Sequence, residues 1–170
     1  MRKQQRQHKL VTMTNTILIK RDELQQQIDL KNYYLGDAAK RKDADADTLQ
    51  SSNDEKELFV MFITRALNEL VTAVALRFSS ITYTIEDEYI ELTFETTTEG
   101  RAHLLPLLKQ AITDYLVNET LMQWLQMRQP IMAQPYMIMR QSLESNVQHL
   151  FAKFYNSTPV RRRSTNLAGI

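Results

Sequence analysis

Glu119, the three histidines and the Asp43–Asp47 cluster are the residues whose types could do chemistry in this chain. General acid–base work needs a second titratable group close to the first. Glu119 has no carboxylate or histidine beside it at helical spacing. It is expected either to reach the surface or to pair with an arginine. His8, His103 and His149 fall in an arm, at a helix start and in a last helix, and none forms H-x-x-x-H or H-E-x-x-H. A metal site would need them brought together from afar. Asp43-Ala-Asp-Ala-Asp47 has the acidity of a calcium loop but not the central glycine and closing glutamate of an EF-hand, so it reads as a solvated acidic loop. No G-x-S-x-G elbow and no phosphate-cradling glycine motif occurs in a chain with only 3 glycines. The absence of cysteine excludes disulfides and thiolate metal sites. No cofactor is expected and the chain does not read as an enzyme. The catalytic alternative is a hydrolase in which Glu119 and His149 meet in a pocket.

Binding chemistry is carried by two short basic runs. One holds Arg2, Lys3, Arg6 and Lys9, the other Arg161, Arg162 and Arg163. Each could contact phosphates, yet neither is interleaved with aromatic residues or placed on a recognition helix. A net charge of +1 supplies no global field to recruit nucleic acid. A small nucleic-acid-binding regulator using these ends is therefore the alternative in a different class. Met127, Met132, Met137 and Met139 could form a plastic binding surface, although filling of a core or interface is the favoured reading.

The elements that must position these residues are mostly helical. Residues 1–16 read as a basic, polar arm and Ile17-Leu18-Ile19 as a short apolar anchor. Arg21 to Leu35 has helical spacing at Leu24, Ile28 and Leu35, widened by Leu30 and Tyr34, with Gly36 as its stop. A long polar loop follows. Ser52-Asn-Asp-Glu55 is a capping box opening a helix to about Phe78. That helix is apolar except for a narrow strip of Glu57, Thr64, Arg65, Asn68 and Thr72, which makes it the central core element, or core and subunit interface together. The period then changes to two. Ile81, Tyr83 and Ile85, then Ile90, Leu92 and Phe94, alternate with threonine and glutamate across Glu86-Asp-Glu88. A lone hairpin is marginal in water, so this one must lie on helices or pair with strands of another copy. A third helix runs from Pro106 to about Gln129, burying Leu108, Ala111, Ile112, Tyr115, Leu116, Met122 and Leu125. Pro130 breaks it. Pro135 opens a fourth, with an apolar stripe from Tyr136 and Met139 through Leu143 and Val147 to Phe154, antiparallel to the third.

The expected fold is mainly α: a helical bundle of about four helices with one inserted β-hairpin near residues 80–96 and extended termini. One domain over 17–156 is flanked by a basic arm (1–16) and a basic tail (157–170). No apolar run approaches the roughly 20 residues that span a bilayer, and the basic start lacks a signal-type apolar stretch. A cytoplasmic chain without membrane partners is expected, with Met13 an alternative start.

Several of these segments together are familiar: Tyr33-Tyr34-Leu35-Gly36 with Lys40, the acidic loop into Ser52-Asn-Asp-Glu-Lys-Glu-Leu58, the Thr/Glu hairpin, Tyr115-Leu-Val and Trp124-Leu125, and Pro159-Val-Arg-Arg-Arg163. From about Ile19 onward the chain resembles a family of uncharacterised proteins encoded among the virion assembly genes of phages and prophages of Bacteroides-type bacteria. In plan it is also similar to the head–tail connector (adaptor) proteins of tailed phages. That likeness implies a structural virion protein of the neck, made in the host cytoplasm, closing a cyclic homo-oligomeric ring between portal and tail. Its partners would be other copies, portal and tail or neck proteins, with incidental contact to packaged DNA. Tail-completion or another neck role is the nearby alternative. Tyr83, Tyr89, Ile90, Arg161, Arg162 and Arg163 are the contact residues that reading selects.

Overall fold

The computed structural model describes residues 13–40, 56–75, 81–96 and 102–155. Among the described residues the chain is mainly α, with four α-helices and one small antiparallel sheet of three strands. The Ser52 capping box, the Asp43–Asp47 loop, Phe78, Gly100 and both basic runs lie outside the described residues.

Strand β1 (Met13–Lys20) enters the sheet directly, so Met13–Thr16 is not an arm. The reason lies in its partner. β3 (Tyr89–Thr96) would otherwise keep one row of backbone donors and acceptors unpaired, and β1 takes that row antiparallel, from Met13 opposite Thr96 to Lys20 opposite Tyr89. β2 (Ile81–Ile85) takes the other side, giving the order β1-β3-β2. The hairpin is thus completed by its own chain. Alternation puts Ile17, Ile19, Ile81, Ile90, Leu92 and Phe94 on one buried face. The opposite face carries Thr16, Thr82 and Thr93 in register, beside Leu18, Thr84 and Glu91.

The hairpin turn contains no glycine. It closes through the Glu86 N–H, which donates to the Tyr89 carbonyl at 2.9 Å, and Arg21, just after β1, braces it. The Arg21 backbone N–H donates to the Glu88 carbonyl at 2.9 Å. Its guanidinium donates to the carbonyls of Glu86 at 2.9 Å and Asp87 at 3.1 Å. Three consecutive turn carbonyls are thereby satisfied by the first residue of the next element.

Helix α1 (Arg21–Lys40) follows β1 without a loop, its first turn holding Asp22 and Glu23 at the positive end of the helix dipole. It runs through Gly36. One glycine costs about 1 kcal/mol relative to alanine in a helix but does not end it. Leu24 and Ile28 are buried, whereas Leu30 and Tyr34 are exposed and do not widen the core face.

Helix α2 (Lys56–Ala75) buries Phe59, Phe62, Ile63, Ala66, Leu67, Leu70 and Val74, leaving the strip of Glu57, Arg65, Asn68 and Thr72 in water. By length and composition alone its Glu57–Ala75 stretch could cross a bilayer, which corrects the reading that no such stretch exists. In this fold its apolar side packs on the other elements.

The central element is not α2 but α3 (Leu105–Arg128), preceded by one turn of 3-10 helix at Ala102–Leu104. From Ala111 to Leu125 every residue except Asp114 is buried. Helices α1, α2 and α4 and strand β1 all pack on it. A helix covered on all sides cannot show a strong apolar stripe, because its polar positions are inside too. Thr113, Asn118, Glu119, Thr120 and Gln123 are those positions.

Helix α4 (Pro130–Tyr155) starts at Pro130 itself, so this proline opens the helix and Pro135 lies within it. Pro130 fits a first helical position because the missing N–H has no intrahelical acceptor there. Gln129 alone joins the two helices, donating its N–H to the Leu125 carbonyl at 2.7 Å and accepting from Met132 at 2.9 Å. Such a tight link folds α4 back antiparallel along α3. Only the C-terminal half of the α4 stripe is core: Val147, Leu150, Phe151 and Phe154 are buried. Phe94 of the sheet meets Phe151 and Phe154 edge-on, with centroids 5.0 and 5.5 Å away.

Candidate functional site

Two features leave the ordinary pattern of core and surface: a line of charges running into the bundle, and an apolar groove beside the first half of α4.

The charges come from three helices. On α2, Arg65 and Glu69 are one turn apart, with Arg65 Nε 3.1 Å from Glu69 Oε1. On α3, Tyr115 and Glu119 are likewise one turn apart and both are buried. Arg140 of α4 lies between the two carboxylates. Its guanidinium hydrogen-bonds Glu69 Oε2, and its Nε is 3.2 Å from Glu119 Oε1. The sign thus alternates from exposed Arg65 through Glu69 and Arg140 to Glu119, which is 0% exposed. Arg140 is close enough to Glu119 for strong attraction, but among the described residues neither Glu119 oxygen has a hydrogen-bond partner of good geometry. Burial pushes the Glu119 carboxyl up to about 7, against the pull of Arg140, and nearby Glu69 adds to the rise. Burial and the Glu119 charge push the Tyr115 phenol up to about 12. Burial disfavours the charge on Arg140, but Glu119 and Glu69 outweigh it and hold the guanidinium protonated.

A shallow groove of about 460 Å³ lies over this cluster, lined by Asn68, Glu69, Thr72, Ala73, Tyr115, Arg140 and Glu144. Glu119 is not among its walls. A molecule in the groove therefore meets Arg140, Tyr115 and the carboxylates of Glu69 and Glu144, but not that of Glu119. The pairing with an arginine is one of the two outcomes expected of Glu119; exposure at the surface is not observed. Glu119 and His149 are not brought together. His149 is exposed and follows Arg140 by nine residues on the same helix, about 13 Å along the axis. Among the described residues no group of three His, Asp or Glu side chains is placed to hold a metal ion.

The second feature is larger. A groove of about 760 Å³ opens between α1 and the first half of α4, with Tyr34 and Leu35 on one bank and Ile131, Met132, Pro135 and Met139 on the other. Lys31 and Asp114 bring charges to its wall. Asn118 donates from Nδ2 to the Tyr136 carbonyl at 3.0 Å. Beside it Ile131 is 81% exposed and Ile138 is 79% exposed. Met127, Met137 and Met139 are exposed and do not fill the core, whereas Met132 is half-buried and packs against it.

Of the residues expected as contacts, Tyr83, Tyr89 and Ile90 lie in the hairpin. Tyr83 is half-buried and donates its hydroxyl to Asn68 Oδ1 at 2.7 Å. Tyr89 is half-buried at the start of β3. Ile90 is fully buried between Ile19 and Ile85, so its side chain offers no contact surface. Its position in the central strand explains this: β3 is flanked on both sides and its apolar face lies on the helices. Arg161, Arg162 and Arg163 are outside the described residues. The α1–α4 groove and Arg140 were missed. One signal pointed to them: Arg140 is the only charged residue between Arg128 and Glu144, in a stretch rich in methionine and isoleucine.

Comparison of the chain with known protein families, curated proteins and solved structures finds no match.

Proposed function

We propose that this chain is a structural assembly protein that works by binding other protein surfaces rather than by catalysis. One observation carries the reading: a well-packed domain leaves a broad apolar face of α1 and α4 in water. Contiguous apolar surface of that kind is characteristic of an interaction site. The buried carboxylate most suited to acid–base chemistry, Glu119, is not among the walls of the groove over it, which supports the same reading.

In its specific form, the proposal follows the resemblance to head–tail connectors. Copies of the chain would occupy the neck of a phage virion between portal and tail, with Arg161, Arg162 and Arg163 contacting a neighbouring protein. The test is the mass of the purified chain in solution, alone and after mixing with portal and tail proteins from the same genome, followed by electron microscopy of large species. A ring or a stable joint complex is expected. A chain that stays monomeric and joins neither component overturns the connector reading. Salt-sensitive binding to bare DNA in its place would move the function to a nucleic-acid-binding regulator.

A further inference from the structure

We infer that the apolar α1–α4 face is where a second copy of this chain docks, about a two-fold axis, with the α4 ridge of each copy seated in the groove of the other. The inference rests on the self-associating part of the proposed function and not on its place in a virion.

Composition is the first argument. From Pro130 to Met139 helix α4 carries no charged side chain, although most of these residues face water. Depletion of charge with enrichment of methionine and tyrosine marks the centre of protein interfaces. Ile131, Pro135 and Ile138 follow one another by four and three residues, the spacing of a seam that packs on another helix. The seam ends where Ser142 and Ser145 take the same positions.

Size is the second. Leu30, Tyr34, Ile131, Ile138 and Met139 together leave on the order of 700 Å² in water, close to the roughly 800 Å² that each partner contributes to a standard interface.

Shape and chemistry name the occupant. Ridge and groove lie side by side, since Ile131 belongs to both. A surface with a ridge next to a matching groove is complementary to itself under a two-fold rotation. Lys31 and Asp114 on the groove wall give each copy one charge of either sign to offer across the axis. The chain's own long stretches beyond the described residues, 1–12, 41–55 and 156–170, are dominated by charged and polar residues. They are the wrong chemistry to fill an apolar groove.

Sedimentation equilibrium of the full chain, up to on the order of 0.1 mM, tests this. The wild type is expected to form dimers or even-numbered multiples. Ile131→Asp combined with Ile138→Asp should weaken pairing more than 100-fold and halve the mass, with an unchanged circular dichroism spectrum because both side chains are exposed. Leu18→Asp, on the sheet surface, should leave the mass unaltered. Assembly that persists in the double variant overturns this interface while self-association stands. A wild type that is monomeric throughout but joins portal or tail proteins overturns the two-fold pair alone. A monomer that joins nothing overturns the pair and the proposed function together.

Discussion

Glu119 is placed where a carboxylate is costly, and that cost has a sign that can be measured. Its carboxyl titrates at about 7 in the folded chain, against an ordinary value of 4.5. Between those two values the folded state holds a proton that the unfolded state has lost. Stability from this group is therefore greatest below pH 4.5 and falls as pH rises through 7, by at most about 3 kcal/mol. Glu119→Gln should remove that slope, so that urea midpoints of variant and wild type diverge between pH 4.5 and 7, with the variant the more stable at pH 8. Parallel profiles would show that Glu119 does not titrate there. Arg140→Met leaves Glu119 and Glu69 without their shared cation. A loss of about 2–3 kcal/mol at pH 8, shrinking toward pH 5 as Glu119 takes up a proton, is expected for a half-exposed arginine in the same assay.

At the scale of elements, Arg21 braces the hairpin turn from outside by donating to its carbonyls. Arg21→Ala removes two side-chain hydrogen bonds at the surface and should lower stability by about 1 kcal/mol, with amide exchange at Ile85–Tyr89 accelerating more than in the rest of the sheet. This turn also marks how far the sequence could be read. The alternation of Ile81–Ile85 and Ile90–Phe94 revealed the hairpin because strand period is local. Nothing local showed that Met13–Lys20 pairs with a strand far along the chain, because Thr14, Asn15 and Thr16 interrupt the apolar alternation. Thr14 and Thr16 lie on the face that β1 turns to water, while Asn15, on the other face, donates to Thr96 Oγ1. The helices α1 to α4 were legible in number and approximate bounds from apolar spacing. The rank of α3 within the core was hidden, since its buried Asn118, Glu119 and Gln123 read as surface. The exposed half of α4 was hidden for the opposite reason: Met137 and Met139 read as filling of a core or interface, and periodicity cannot say which apolar stripe is covered by the same chain.

Across the whole molecule, two regions of α4 have different duties. Its C-terminal half closes the core through Phe151 and Phe154, and its N-terminal half presents apolar residues outward. A two-fold pair closes on itself, so a ring would need a further, head-to-tail contact between pairs. If pairing occurs, the melting temperature should rise with protein concentration in the wild type and be independent of it in the Ile131→Asp, Ile138→Asp variant.

The near-complete enclosure of α3 has a kinetic consequence. No single neighbour can leave without uncovering part of it, and it cannot be solvated piecemeal while α1, α2, α4 and β1 stay docked. Its backbone amides from Tyr115 to Leu125 should accordingly exchange with deuterium only through global opening, as one cooperative block and the slowest in the chain, while those at the exposed start of α4 exchange through local fraying.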